Sequence, residues 1–163
     1  FVFNYFRSPH QGASSGFIAA GAGSGNNKKG LETFSFASDG NATARDNGST
    51  QRIRVGGNSS TTHGYVVGGN PGNVDTIYKF PFSGTGSYDA TDVGNLTAGR
   101  NRPNCASSLT HGYAAGGAEA PGSSNVIDKF AFASDGDATD VGDLTEAKQT
   151  ASAQSDPKCP PGP

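Results

Sequence analysis

The sequence predicts an all-β protein made of repeated units, and three observations carry that prediction. His63-Gly64-Tyr65-Val66-Val67-Gly68-Gly69 returns 48 residues later as His111-Gly112-Tyr113-Ala114-Ala115-Gly116-Gly117, and Ser15-Gly16-Phe17-Ile18-Ala19-Ala20-Gly21 precedes it by the same interval. A period of this size marks a supersecondary unit that buries its apolar face on its neighbours. The apolar residues also fall in short β-branched and aromatic runs bounded by glycine, a strand pattern. No stretch of the chain has helical periodicity.

Each unit reads as four short strands. The first runs through Gly64-Tyr65-Val66-Val67 and stops at the Gly-Gly pair. A variable loop follows, 70–75 in one copy and 118–125 in the next. The second strand is Thr76 to Phe82, matched by Val126 to Phe132. Its period-two alternation places Ile127 and Lys129 on one face and Val126, Asp128 and Phe130 on the other. Ser134-Asp135-Gly136-Asp137, with its near copy Ser38-Asp39-Gly40-Asn41, predicts a tight hairpin turn, because Gly supplies the backbone freedom such a turn needs. The third strand is Ala138 to Gly142, matching Ala90 to Gly94, and Leu-Thr with a basic residue comes after it: Arg52, Arg100 and Lys148. A weaker strand, such as Asn104 to Leu109, closes the unit. Four strands in this length is the content of one propeller blade. The units are placed at about 15–62, 63–110 and 111–155, after a lead strand at 1–14 and before a Pro-rich tail at 156–163.

The order of these features resembles the kelch repeat: an aromatic strand ending in Gly-Gly, a second aromatic strand, an Asp-Gly turn, then Leu-Thr and Arg. The late kelch Trp is missing, with Val93 and Val141 near its place. The resemblance spans roughly residues 15–155 and implies a kelch-like β-propeller. Residues 128–145 are also similar to kelch-like repeats in tail-fibre and other structural proteins of marine and cyanobacterial phages. That similarity implies a virion role. Three units are fewer than the four to eight blades of a closed propeller. The expectation is therefore an incomplete ring, part of a larger assembly, or chains that complete one another. The absence of Met points the same way, to a processed chain or a fragment.

Composition narrows the function classes. Leu, Ile, Val and Phe total only 26 of 163 residues, a level that favours disorder when net charge is high, but the net charge is −2. The near-neutral balance gives no electrostatic footprint for nucleic acid. No apolar run is long enough for a membrane-spanning helix. Cys105 and Cys159 are out of step with the repeat, so no repeated disulfide is implied. Cys105 reads as a small buried hydrophobe and Cys159 as part of the tail.

The repeat also weighs against an active site. His63 and His111 invite a shared metal, but Ser15 replaces them in the first copy, and a residue present in each unit usually serves the unit. A turn-stabilising hydrogen bond is the expected role. Asp135, Asp137 and Asp140 do not have calcium-loop spacing and read as turn residues. Arg52, Arg100 and Lys148 are expected to pair with an Asp or a carbonyl of a neighbouring unit. No nucleophile elbow, phosphate loop or zinc signature is present. Neither catalytic, cofactor nor metal residues are assigned.

The strands hold while the loops diverge, which assigns packing to the strands and contact to the loops. The candidate contact residues are Asn70, Pro71, Asn73 and Asp75 in one loop and Glu119, Pro121, Ser124 and Asn125 in the other. The expected function is a non-enzymatic structural or adhesion module of a phage virion or appendage. Its expected partners are further copies of itself, other virion proteins, or a host-surface glycan or protein. Two alternatives stand beside it: a secreted carbohydrate-binding or catalytic kelch-like propeller, and an intracellular protein-interaction propeller. Asparagine sequons at Asn41, Asn47, Asn58 and Asn95 would matter in a glycosylated, extracellular protein.

Overall fold

The computed structural model describes residues 14–23, 26–46, 52–83 and 90–155. The proposed lead strand (except Ser14) and Pro-rich tail, with Cys159, lie outside the described residues. All regular structure in the described part is β. A first sheet contains β1 (Ser15–Gly23), β2 (Asn26–Ser35) and β3 (Thr43–Asp46). A second contains β4 (Gly56–Ser59), β5 (His63–Val67), β6 (Thr76–Pro81) and β7 (Thr91–Asn95). A third contains β8 (Asn104–Ser107), β9 (His111–Ala115), β12 (Val126–Ala131) and β13 (Thr139–Asp143). Between β9 and β12 the chain forms a small ribbon, β10 (Ala118–Glu119) and β11 (Gly122–Ser123).

Each large sheet is an antiparallel meander, and the registers repeat. Tyr65 lies opposite Lys79, and Tyr113 opposite Lys129. Gly64 lies opposite Phe80, Gly112 opposite Phe130, and Gly16 opposite Phe34. In all three pairs the phenyl ring lies over the glycine, so that a Cβ there would collide with the ring. This close approach is why glycine precedes the aromatic residue of each strand.

Two apolar layers hold the sheets face to face. Tyr65, Val67, Ile77 and Leu96 of the second sheet and its following loop meet Ala114, Phe130 and Ala138 of the third, with Val93, Cys105 and Phe132 at the margin. On the opposite face of the second sheet, Val66 and Phe80 meet Leu31, Phe17 and Ala19 of the first. A sheet covered on both sides cannot alternate cleanly between apolar and polar residues, which accounts for the four consecutive buried residues of β5, Gly64 to Val67.

Two local expectations change. Ser134-Asp135-Gly136-Asp137 is not a tight hairpin turn. The connection runs from 132 to 138, and its backbone is fastened to the adjacent sheet: Gly136 N–H donates to Val93 O at 2.7 Å and Ala138 N–H to Asn95 O at 2.7 Å. The phase of the sheets also differs from the phase of the sequence unit. The strand at 104–107, written at the end of one unit, pairs with β9 of the next. The second and third sheets therefore span 56–95 and 104–143. Among the described residues the sheets close no barrel or ring.

Candidate contact surface

The repeated polar residues fasten the sheets together. In the β4–β5 turn, the Ser60 hydroxyl accepts from His63 N–H at 3.0 Å and Thr62 N–H at 3.3 Å. Thr62 Oγ1 and His63 Nδ1 share a bond of 2.8 Å. Ser108, Thr110 and His111 repeat the arrangement, again with 2.8 Å between hydroxyl and ring. Each histidine is thus tied through Nδ1 into the turn of its own sheet.

The Gly-Gly pair and the basic residue prove to be one device. Gly21, Gly69 and Gly117 donate their N–H groups to the carbonyls of Arg52, Arg100 and Lys148, at 3.1, 2.9 and 2.7 Å. Here the chain leaving one sheet crosses the strand end of the same sheet at backbone distance. A Cβ at Gly68 would lie 2.5 Å from Arg100 O, and Gly68 has φ of 65°, where side chains are strained.

The basic side chain then reaches the following sheet. Arg100 and Asp128 form an ion pair with both side chains fully buried. Asp128 also accepts from Thr97 N–H at 3.1 Å and Thr97 Oγ1 at 2.7 Å. Arg100 Nη1 donates to Gly116 O at 3.3 Å and Val126 O at 3.2 Å. Leu-Thr and Arg therefore recur together because Leu96 fills the core while Thr97 and Arg100 grip the next sheet. One interface earlier, Tyr78 stands in the place of Asp128, and Arg52 lies 4.7 Å from its ring centroid, a cation–π contact.

The acidic residues of the third sheet make two further links. Asp135 pairs with Lys79 of the second sheet. Asp137 accepts from Asn95 N–H at 2.9 Å. Asp140 accepts from Gly142 N–H at 2.9 Å within β13. Among the described residues, no group of three or more His, Cys, Asp or Glu is placed to hold a metal ion.

The two divergent loops are joined through Asn101. It exchanges backbone bonds with Ala118, and its amide nitrogen donates to Asn73 Oδ1. Pro71 and Pro121 are exposed, as are Gly72, Ala120 and Gly122 beside them. Asn70, Asn73, Asp75, Glu119 and Asn125 are half-buried. Ser124 is buried, and its hydroxyl accepts from Arg100 Nη1 at 3.4 Å, so it presents nothing to a partner. The part of these two loops left for contact is narrower than the sequence suggests: the tips around Pro71 and Pro121, edged by Glu119. Asn58 was legible only as a sequon residue. It is buried, and its amide bonds Ala106 O and Ser107 Oγ of the third sheet, an inter-sheet clasp that bars glycosylation in the folded chain. Its counterpart in the next unit is Ala106, so no repetition announced it.

Compared with protein-family models and with curated proteins, the chain matches none.

A cavity of about 360 Å³ opens at the end of the first sheet, lined by Ser14, Phe17, Phe34, Asn41, Thr43 and Arg45 among others. Among the described residues of its lining, Arg45 is the ionisable one. The other chemically notable group is Cys105, a free thiol whose sulfur lies against Gly56. Burial pushes the thiol up to about 12 from its ordinary 9.0, against the opposing effects of a backbone hydrogen bond from Gly57 and the charge of Arg100. It packs at the margin of the core, where burial favours the neutral thiol over the nucleophilic thiolate. At pH 8.5 iodoacetamide is expected to label Cys105 roughly a thousandfold more slowly in the native protein than in urea. Because the folded thiol stays neutral, the stability tied to it is present below about pH 9. It is lost as pH rises towards 12, with a slope approaching about 1.4 kcal/mol per pH unit. Equal labelling rates in both states would show the thiol to be accessible.

Proposed function

We propose that this chain is a non-enzymatic structural or adhesion module: a kelch-like β-repeat scaffold of a phage virion or appendage. The observation that carries the reading is the fate of the repeated polar residues. His63, His111, Arg100, Asp135 and Asp137 take part in turns and inter-sheet bonds. The divergent tips around Pro71 and Pro121 remain as the variable surface. Such a protein acts through shape: packed sheets hold the loops, and the loops meet a virion protein or a host-surface glycan or protein. Meanders packed face to face, with bonds from β4 to β8, support reading the sheets as propeller blades. The virion assignment, with an extracellular location as its alternative, rests on the resemblance of residues 128–145.

The test has two arms. Cryo-electron microscopy of particles that carry the chain is expected to show it in regular copies on a capsid, tail or filament. Purified protein is expected to release no reducing sugar from a panel of oligosaccharides. Turnover of any sugar would overturn the scaffold reading, and glycan binding without turnover with no particle association would move the protein to the secreted binding class.

A further inference from the structure

The interface between the second and third sheets has two complementary halves, and a further copy of each has no partner sheet among the described residues. On the second sheet, the donating half consists of Tyr65, Lys79 and Arg100. Tyr65 stacks on Phe132 at 4.9 Å between centroids and tilts against Phe130 at 5.5 Å. Lys79 pairs with Asp135, and Arg100 with Asp128. The accepting half on the third sheet is therefore Phe130, Phe132, Asp128 and Asp135. The same aromatic step joins the first two sheets, where Phe17 stacks on Phe82 at 4.8 Å and lies 6.2 Å from Phe80.

Carried one sheet forward, the donating half is Tyr113, Lys129 and Lys148, on the outer face of the third sheet and its following loop. Tyr113 and Lys129 are half-buried, and Lys148 is exposed, 3.8 Å from the more exposed Glu146. Carried two sheets back, the accepting half is Phe34, Phe36, Glu32 and Asp39. Phe34 and Phe36 already stand edge to face at 5.5 Å, as do Phe80 with Phe82 at 6.0 Å and Phe130 with Phe132 at 5.9 Å. Phe36 is 54% exposed, Ile18 beside them is 52% exposed, and Glu32 and Asp39 are exposed. The charges are complementary: two lysines on one face, two carboxylates on the other.

The third sheet also carries the start of what normally follows a sheet. Ser59 N–H donates to Ser107 Oγ at 3.1 Å, and Ser107 N–H donates to Ser155 Oγ at 3.0 Å, each across 48 residues. Arg54, Arg102 and Thr150 share the same left-handed backbone, with φ of 58°, 53° and 60°. The described residues provide the lead-in to a further sheet and no sheet to occupy the face.

We infer that copies of this chain associate head to tail, the outer face of the third sheet in one copy receiving the outer face of the first sheet in the next. Lys148 meets Glu32 of the second copy, Lys129 meets Asp39, and Tyr113 stacks on Phe34 and Phe36. This deepens the self-association within the proposed function, and it stands on the sheet interface alone. Because the two faces differ, the contact is heterologous and generates a ring where the rotation closes, or a filament where it does not. Two copies would give six sheets, within the range of closed propellers.

Sedimentation equilibrium of the full chain tests it, with Lys148→Glu and Glu32→Lys as variants. Both residues are exposed, so circular dichroism should show an unchanged fold. The wild type is expected to self-associate, and each variant alone to associate roughly tenfold more weakly, since like charges then meet at each contact. An equimolar mixture of the two variants should regain the wild-type affinity. The carboxylate introduced at position 148 then faces the ammonium introduced at position 32, and the second contact of the pair is native. A monomeric wild type at all concentrations, or a mixture no tighter than its components, would overturn the inference. Neither result touches the scaffold reading, which turns on sugar turnover and on the location of the chain.

Discussion

Replacing Asp128 by Ala is expected to lower the free energy of unfolding by about 3–5 kcal/mol, because it leaves the Arg100 guanidinium buried without its counter-charge. Both side chains are fully buried, so water cannot replace the lost partner. The carboxylate also takes the N–H and hydroxyl of Thr97, but Thr97 is exposed and can turn those donors to water, so the loss lies with the buried guanidinium. Against a typical domain stability of 5–15 kcal/mol the loss is large. A midpoint drop of roughly 6–20 °C would follow for a chain of this size. The pair links two sheets, and stability in a repeat array depends on such neighbour interfaces. The double variant Arg100→Met with Asp128→Leu separates the value of the pair from the penalty of orphaning a charge. Its stability should return to within about 2 kcal/mol of wild type, since apolar residues of similar size often replace a buried ion pair without loss. Denaturant titration measures both. A loss below about 1 kcal/mol for Asp128→Ala would show that the pair is solvated in solution.

How much of this was legible follows from where each bond goes. Strand positions were readable because glycine and alternation are local: β6 and β12 fall where the Ile-Lys-Phe runs predict them. The alternation also put Asp128 and Phe130 on one face, and that face meets the second sheet. Repetition of Arg52, Arg100 and Lys148 pointed to a link between units. What it could not give was the partner, because the position facing the basic residue is Tyr78 at one interface and Asp128 at the next. The Asp-Gly turn misled for a related reason. Asp135 and Asp137 have turn chemistry, but their hydrogen bonds and charge go to the neighbouring sheet, and a sequence pattern does not say which strand edge is in reach. The divergent segment 118–125, read as a loop, folds into the β10–β11 ribbon, whose short pairing no sequence alternation announced. The exposed part of the two divergent segments was overdrawn, since a Ser in a loop carries no sign that Arg100 will reach it.

Two tyrosines at the same repeat position are expected to respond differently to truncation. Tyr65→Ala should cost about 3–5 kcal/mol, the range for emptying a buried aromatic site. Tyr65 is 3% exposed, stacked on Phe132 and packed against Phe130, with Val67 and Ile77 in the same layer. The third sheet cannot collapse into the void, because Gly112 holds the Phe130 ring against β9 on the other side. Tyr113→Ala removes the same atoms from the same register, opposite Lys129 instead of Lys79. Tyr113 is only half-buried and has no aromatic partner among the described ring contacts. In dilute solution its loss should be about 1 kcal/mol or less, as for substitutions away from a packed core. If copies stack head to tail, the deficit at Tyr113 should grow with protein concentration, since association then adds an aromatic neighbour to that ring. The deficit at Tyr65 should not change with concentration. Unfolding midpoints measured across a hundredfold range of concentration compare the two directly. Equal losses at every concentration would show that the outer face of the third sheet is already filled by its own chain.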